Sequence, residues 1–382
     1  MTACSNENAR LPVAPKTSAW TVQSSADPPG AATSSLLGVS CPSPVICIAV
    51  GYYTNGSNIE VTLAEHWNGK TWAIRPTPTP AGARSSGLTA VSCPSASACI
   101  AVGGYTAASG MGEPLAEHWN GTGWAIQPTP TPTGALSGAL SAVSCPSATI
   151  CTAVGGDTNS SGTGVTLAER WNGSGWAVQA TPDTSGFSFN ALSGVSCPSA
   201  LACTAVGGGT RSTGTGVTLA ERWDAGGWTI QATPNGSGGT GGDLSGVSCP
   251  SATACTAVGG YTNASGTGVT LAERWNGRRW AIQATPNPTG GTFSSLGTRG
   301  GVSCPSAGTC TAVGHYNRGQ RVGLTVVELF KGRRWTALPS PNVSGGIGGG
   351  LSGVSCPSAA ACIAVGGYTS RSGRGLTLIE LS

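Results

Sequence analysis

Cysteine is the residue of this chain with the most chemical potential, and fourteen of the fifteen cysteines fall into pairs six positions apart: Cys41–Cys47, Cys93–Cys99, Cys145–Cys151, Cys197–Cys203, Cys249–Cys255, Cys304–Cys310 and Cys356–Cys362. Such pairs could ligate metal, remain as buried thiols or form disulfides. A zinc site generally needs four Cys or His ligands, often with Cys-x-x-Cys spacing, whereas the chain has one Cys-x5-Cys pair per repeat and three histidines in all. Directly opposed residues of an antiparallel hairpin have Cα atoms about 4.5 to 5.5 Å apart, which suits a disulfide. Disulfides are therefore the expected state, with buried free thiols next and metal last. They imply an oxidising, extracellular or cell-surface setting.

The unpaired cysteine is Cys4, in Met1-Thr-Ala-Cys4. This run resembles the end of a bacterial lipoprotein signal, which would make Cys4 a lipidation candidate and residues 1–16 a flexible tail or tether. The other reading is a free thiol in that tail. A lipid at Cys4 is the only membrane attachment expected, because no stretch approaches the roughly 18 apolar residues of a spanning helix.

Catalytic residues should break a repeat, and few do. Seven of the ten glutamates (Glu65, Glu117, Glu169, Glu221, Glu273, Glu328 and Glu380) share one repeat position, so one structural role serves them all. Paired carboxylates that cleave glycosides sit roughly 5 to 10 Å apart, and a column repeated around a ring keeps its members farther apart. His66 and His118 stand where other repeats carry Arg170, Arg222 and Arg274, which makes them interchangeable surface positions. The innermost strand of each repeat offers Ser, Gly, Val, Leu, Ala and Thr, with no acid or base. Gly236 to Gly241 matches Gly-x-Gly-x-x-Gly but has no helix after it. No cofactor and no metal are expected. The net charge of +4 is small for 382 residues and the arginines are scattered, so no nucleic-acid partner is expected either.

The most informative exceptions lie six residues after each second cysteine: Tyr53, Tyr105, Asp157, Gly209, Tyr261, Tyr316 and Tyr368. Asn55, Asn159, Asn263 and Asn317 follow closely, and His315 precedes Tyr316. Aromatic faces stack on sugars, Asn and Asp bond hydroxyls, and loops on a rigid scaffold are where binding residues gather. A repeated Tyr after Gly-Gly also serves as scaffolding, so both readings stay open. One length change, three residues added within 285–300, is expected to open onto the same face.

These columns are positioned by a repeat. The Ser-Cys-Pro-Ser motif returns every 52 residues, once 55, and each unit reads as four short strands separated by turn residues. Two aromatic columns mark the third and fourth strands: Trp67, Trp119, Trp171, Trp223, Trp275 and Phe330, then Trp72, Trp124, Trp176, Trp228, Trp280 and Trp335, with Trp20 joining the second. The fold class is all-β: a seven-bladed β-propeller of four-stranded antiparallel blades. Its closure is one-plus-three, the strand at Trp20 completing a last blade that stops at Ser382. One domain from 17 to 382 follows.

The Val258-Gly-Gly-Tyr261…Trp275…Trp280 pattern resembles the kelch repeat, and Ser-Cys-Pro-Ser…Cys-x-Ala-Val-Gly resembles repeats of poorly characterised exported bacterial propellers. That resemblance covers almost the whole chain and implies a propeller, while kelch-like rings include protein-binding scaffolds, sugar binders and a copper oxidase. The expectation is a monomeric, exported, non-catalytic binder of a glycan or protein through the Tyr/Asn face. A polysaccharide-acting hydrolase or lyase, and a structural cell-envelope protein without small ligand, are the alternatives.

Overall fold

The computed structural model describes residues 20–182, 186–236, 239–297, 300–319 and 321–382. Cys4 and the 1–16 tail lie outside them. Blade 1 shows the local plan: β1 (Thr21–Gln23) belongs elsewhere, and β2 (Ser34–Ser43), β3 (Ile46–Thr54), β4 (Glu60–Trp67) and β5 (Trp72–Ile74) form an antiparallel sheet in that order. Alternation puts Cys47 and Ala49 on one face of β3 and Ile48 and Val50 on the other. All four are buried because a neighbouring blade covers each face.

The described strands build seven such blades, at 34–74, 85–127, 137–179, 187–231, 242–283, 291–338 and 348–381, numbered blades 1 to 7. Blade 7 takes β1 as its fourth strand, with Thr21 opposite Leu381 and Gln23 opposite Ile379. This is the expected one-plus-three closure. Apolar clusters run between adjacent blades around the whole circle. One joins Leu36 and Trp67 of blade 1 to Ile363, Val365 and Ile379 of blade 7, so the ring is shut.

Hydrogen bonds explain the Ser-Cys step of the repeat. The Ser40 hydroxyl accepts the Cys93 N–H of the next blade at 3.0 Å, and the same bond recurs from Ser92, Ser144, Ser196, Ser248, Ser303 and Ser355 to Cys145, Cys197, Cys249, Cys304, Cys356 and Cys41. The seven bonds form a closed circle around the axis. Within each blade the cysteines bond to each other, giving seven disulfides among the described residues with Cα atoms 4.0–4.1 Å apart. The connection between paired cysteines is tight: a one-residue register shift follows Ser40, and Ser43 pairs with Ile46.

Two expectations need correction. His66 is not a plain surface position: its ring meets Trp119 of blade 2 with centroids 4.4 Å apart. In that column Arg170, Arg222 and Arg274 lie over Trp223, Trp275 and Phe330, and each also donates to a backbone carbonyl of the next blade. What alternates here is the means of bridging two blades. The added residues of blade 6 sit elsewhere than expected as well. The innermost strand is interrupted between Leu296 and Val302, and Gly300 there donates to the Ser245 carbonyl of blade 5.

The glutamate column is buried in every blade. Glu65 accepts hydrogen bonds from the Ser25 hydroxyl and the Ala26 N–H, and Glu380 accepts from Ser340. The residues equivalent to those serines are threonines in other blades. There Thr77, Thr129 and Thr233 turn their hydroxyls to the carbonyls of Thr62, Pro114 and Thr218. Burial pushes Glu117, Glu169, Glu273 and Glu328 up to about 8, and Glu65 and Glu380 to about 7, where hydroxyl donors offset part of the desolvation.

Candidate ligand-binding basin

Two turns of the chain meet on one face of the ring: the connection after each second strand and the connection between blades. Between them the upstream ends of the innermost strands form the wall of a basin over the axis. In the second strand, Gly51, Gly103, Gly155, Gly207, Gly259, Gly314 and Gly366 must be glycine, since a Cβ at any of them would stand 1.9–2.0 Å from a carbonyl oxygen of the first strand. That close approach locks the two inner strands together just below the basin.

The next residue along shapes the wall. It is Tyr52, Gly104, Gly156, Gly208, Gly260, His315 and Gly367 in blades 1 to 7, and it abuts one first-strand residue of the following blade. Where the second strand has glycine, that neighbour carries a side chain: Ala139, Ala191, Asp243, Ser295 and Ser35. Where the second strand has Tyr52 or His315, the neighbour is Gly87 or Gly350. In every pair around the mouth one partner is glycine, which leaves room for the other's side chain. His315 is thus a wall residue, its ring 5.6 Å from that of Phe293 and its burial lowering its basicity.

The tyrosine column lies along the blade boundaries. Tyr53, Tyr105, Tyr261, Tyr316 and Tyr368 are half-buried and pack against the inter-blade cores. The Tyr261 ring also lies under the incoming loop at Gly236. Asp157 is buried in this column, and the Gly209 position is filled by the ring of Phe187. The asparagines are committed within their own turns. Oδ1 of Asn55 accepts the N–H groups of Ser57 and Ile59, that of Asn159 accepts Ser161 and Thr163, that of Asn263 accepts Ser265 and Thr267, and that of Asn317 accepts Gly323. Of the residues named from sequence, Tyr105 and Asp157 line one hollow of the basin, Tyr261 another, and His315 and Tyr368 a third. Tyr316 lines a separate recess, and the four asparagines and Tyr53 line none of these hollows.

The three hollows have volumes of ≈ 440, 420 and 500 Å³ and lie over blades 4–6, blades 1–4 and blades 6–1. Their walls are mostly glycine and small hydroxylated side chains. Phe189, Asp243 and Phe293 depart from that pattern, and sequence reading missed all three. Phe189 and Phe293 are 50% and 43% exposed, where other blades have Thr33, Ser85, Ser137, Gly241 and Gly348. Phe189 is held across a blade boundary by a parallel bridge to Gly164, whose missing side chain admits the ring. Asp243 corrects the expectation that the innermost strands carry no acid. That strand begins at Gly242, because its ladder continues past a bulge to pair Gly242 with Tyr261. Asp243 is open to the basin yet walled enough to hold its carboxyl above the usual range, the Ser245 hydroxyl partly offsetting the effect. The signal was present in the repeat, as first-strand positions where single blades depart from small residues.

No family model matches the chain, and no curated protein does. Solved structures show the architecture. A structure of YCF48 bound to D1 peptide is 12% identical, covers 95% of this chain and 96% of its own, and superposes with a TM-score of 0.53. Trypanosoma rangeli sialidase in complex with sialic acid is 9% identical with a TM-score of 0.50. The match covers 91% of this chain and 54% of the sialidase, so the chain spans about half of that enzyme. These similarities establish a multi-bladed β-propeller and nothing of its activity.

Proposed function

We propose that residues 17–382 act as one domain, an exported, non-catalytic binding or scaffold propeller that takes a protein segment or glycan in the basin. The observation that carries this reading is the wall itself, in which small residues leave three hollows and Phe189 lines two of them. An extended ligand crossing from one hollow to the next would pass over that ring. Exposed aromatic rings beside hydroxyls suit recognition, and a rigid disulfide-bonded ring supplies the preorganisation. One structure of the same architecture, YCF48, is bound to a peptide, which is compatible with this use of the fold. Seven disulfides support an oxidising extracellular setting. A lipid at Cys4, a bacterial source and a kelch-like ancestry belong to the same proposal.

The hydrolase reading has one observation of its own: Glu60 and Asp157 line the hollow over blades 1–4. Asp157 is buried, which suits a wall residue better than an acid that must meet substrate. Binding of the pure protein to combined glycan and peptide arrays tests the proposal. Retention that weakens in Phe189→Ala supports it. Turnover of a polysaccharide that disappears in Glu60→Gln would replace it with hydrolysis.

A further inference from the structure

The hollow over blades 4–6 departs from the sevenfold pattern in chemistry as well as in shape. Phe189 and Phe293 enter it from two blades, Asp243 from the blade between them, and Tyr261 lies beside Asp243. Among the described residues lining it, Asp243 is the one charged group and none is basic. The chain as a whole carries a net positive charge, and it has five aspartates in all. Among the described residues, this carboxylate stands open to the cavity with no arginine or lysine in its walls, which makes the hollow a negative site.

We propose that this hollow binds the cationic side chain of a peptide, a lysine ammonium or arginine guanidinium, with its methylene stem along Phe189 and Phe293 and its charge at Asp243. The inference rests on the binding reading above and specifies the ligand. The aromatic faces attract a cation by their quadrupole, the carboxylate attracts it by charge, and the hydroxyls of Ser193, Ser295 and Thr210 can accept its N–H groups. Lysine and arginine bring an apolar stem ahead of the charge, and that stem matches two exposed phenyl rings. An amino sugar carries its ammonium directly on a hydroxylated ring and has no such stem. An anionic ligand would meet Asp243 with like charge.

The test uses the full chain on an array of ten-residue peptides in which every lysine peptide has an acetyl-lysine twin, with chitosan oligosaccharides as the amino-sugar arm. Retention on Lys or Arg peptides is expected, about tenfold weaker on the acetylated twins and weaker again at high salt. Asp243→Asn should lose about tenfold in affinity with an unchanged Tm, Asp243→Glu should recover part of it, and Phe189→Ala with Phe293→Ala should reduce binding on its own. Equal binding of acetylated twins, unchanged binding by Asp243→Asn, preference for chitosan, or no retention on any peptide would each overturn the assignment. Basin-dependent binding of neutral peptides or glycans would do so while leaving the broader binding reading intact.

Discussion

The complementary pairs around the basin mouth allow a residue-level experiment with an internal control. Gly350 lies against His315 so closely that an added Cβ would stand 2.9 Å from the His315 Cβ. Gly350→Ser should therefore destabilise the protein by about 1 to 3 kcal/mol through overpacking. Adding His315→Gly should recover most of the loss, because the pair then reproduces the Gly260–Ser295 arrangement of blades 5 and 6. Urea denaturation of the two singles and the double measures the coupling, and strictly additive effects would refute the pairing. The buried glutamates give a second prediction. Burial holds them at about 7 to 8, above the ordinary glutamate value of 4.5. Their contribution to stability is thus complete below about pH 4.5 and is lost as pH rises through 7 to 8. Tm should fall between pH 5 and 9, and Glu273→Gln should flatten that fall. A Tm that rises over this range would contradict the burial argument.

At the scale of elements, the circle of Ser hydroxyl to Cys N–H bonds makes each inner strand depend on the one before it. Ser196→Ala would strip the partner from the buried Cys249 N–H and should cost about 1 to 3 kcal/mol. Hydrogen exchange should quicken at Cys249 before it quickens in the second strand of that blade. Unchanged exchange there would mean that the bond contributes little. Strand number, order and the Ser-Cys-Pro-Ser spacing were legible in sequence because every blade repeats them, and so was the partnership of Trp20's strand with the chain's far end. The basin was less legible. Its wall is made by contacts between blades, such as Gly208 against Asp243, and a period of 52 residues does not state which column of one blade faces which column of the next. The tyrosine column drew notice as the repeated aromatic; its residues pack against the inter-blade cores, and Tyr105, Tyr261 and Tyr368 also line hollows of the basin. The adjacent column, mostly glycine, faces the mouth.

At the scale of the whole molecule, the ring is covalently continuous everywhere except between β1 and the third strand of blade 7. In blades 1 to 6 a short turn joins third and fourth strands, as between Trp67 and Trp72. In blade 7 the equivalent neighbours are Thr21 and Leu381, 360 positions apart in the chain, and Trp20 is what packs that strand against Val313, Val327 and Leu351. The same truncation should therefore have different consequences at two places. Trp124→Ala removes buried area from a tethered strand and should lower stability by about 3 to 5 kcal/mol while leaving one cooperative transition. Trp20→Ala removes a similar anchor from the clasp, so β1 can leave without the rest unfolding. Amide protection should then collapse along Gly375–Leu381 while blades 3 to 5 keep theirs. The freed edge is a strand with unpaired backbone groups, so this variant should also self-associate in a concentration-dependent way. Hydrogen exchange and sedimentation of the two variants side by side decide the matter. Equal, global loss of protection in both would show that closure does not depend on the N-terminal strand, and a wild-type protein that unfolds in two steps would refute the single domain from 17 to 382.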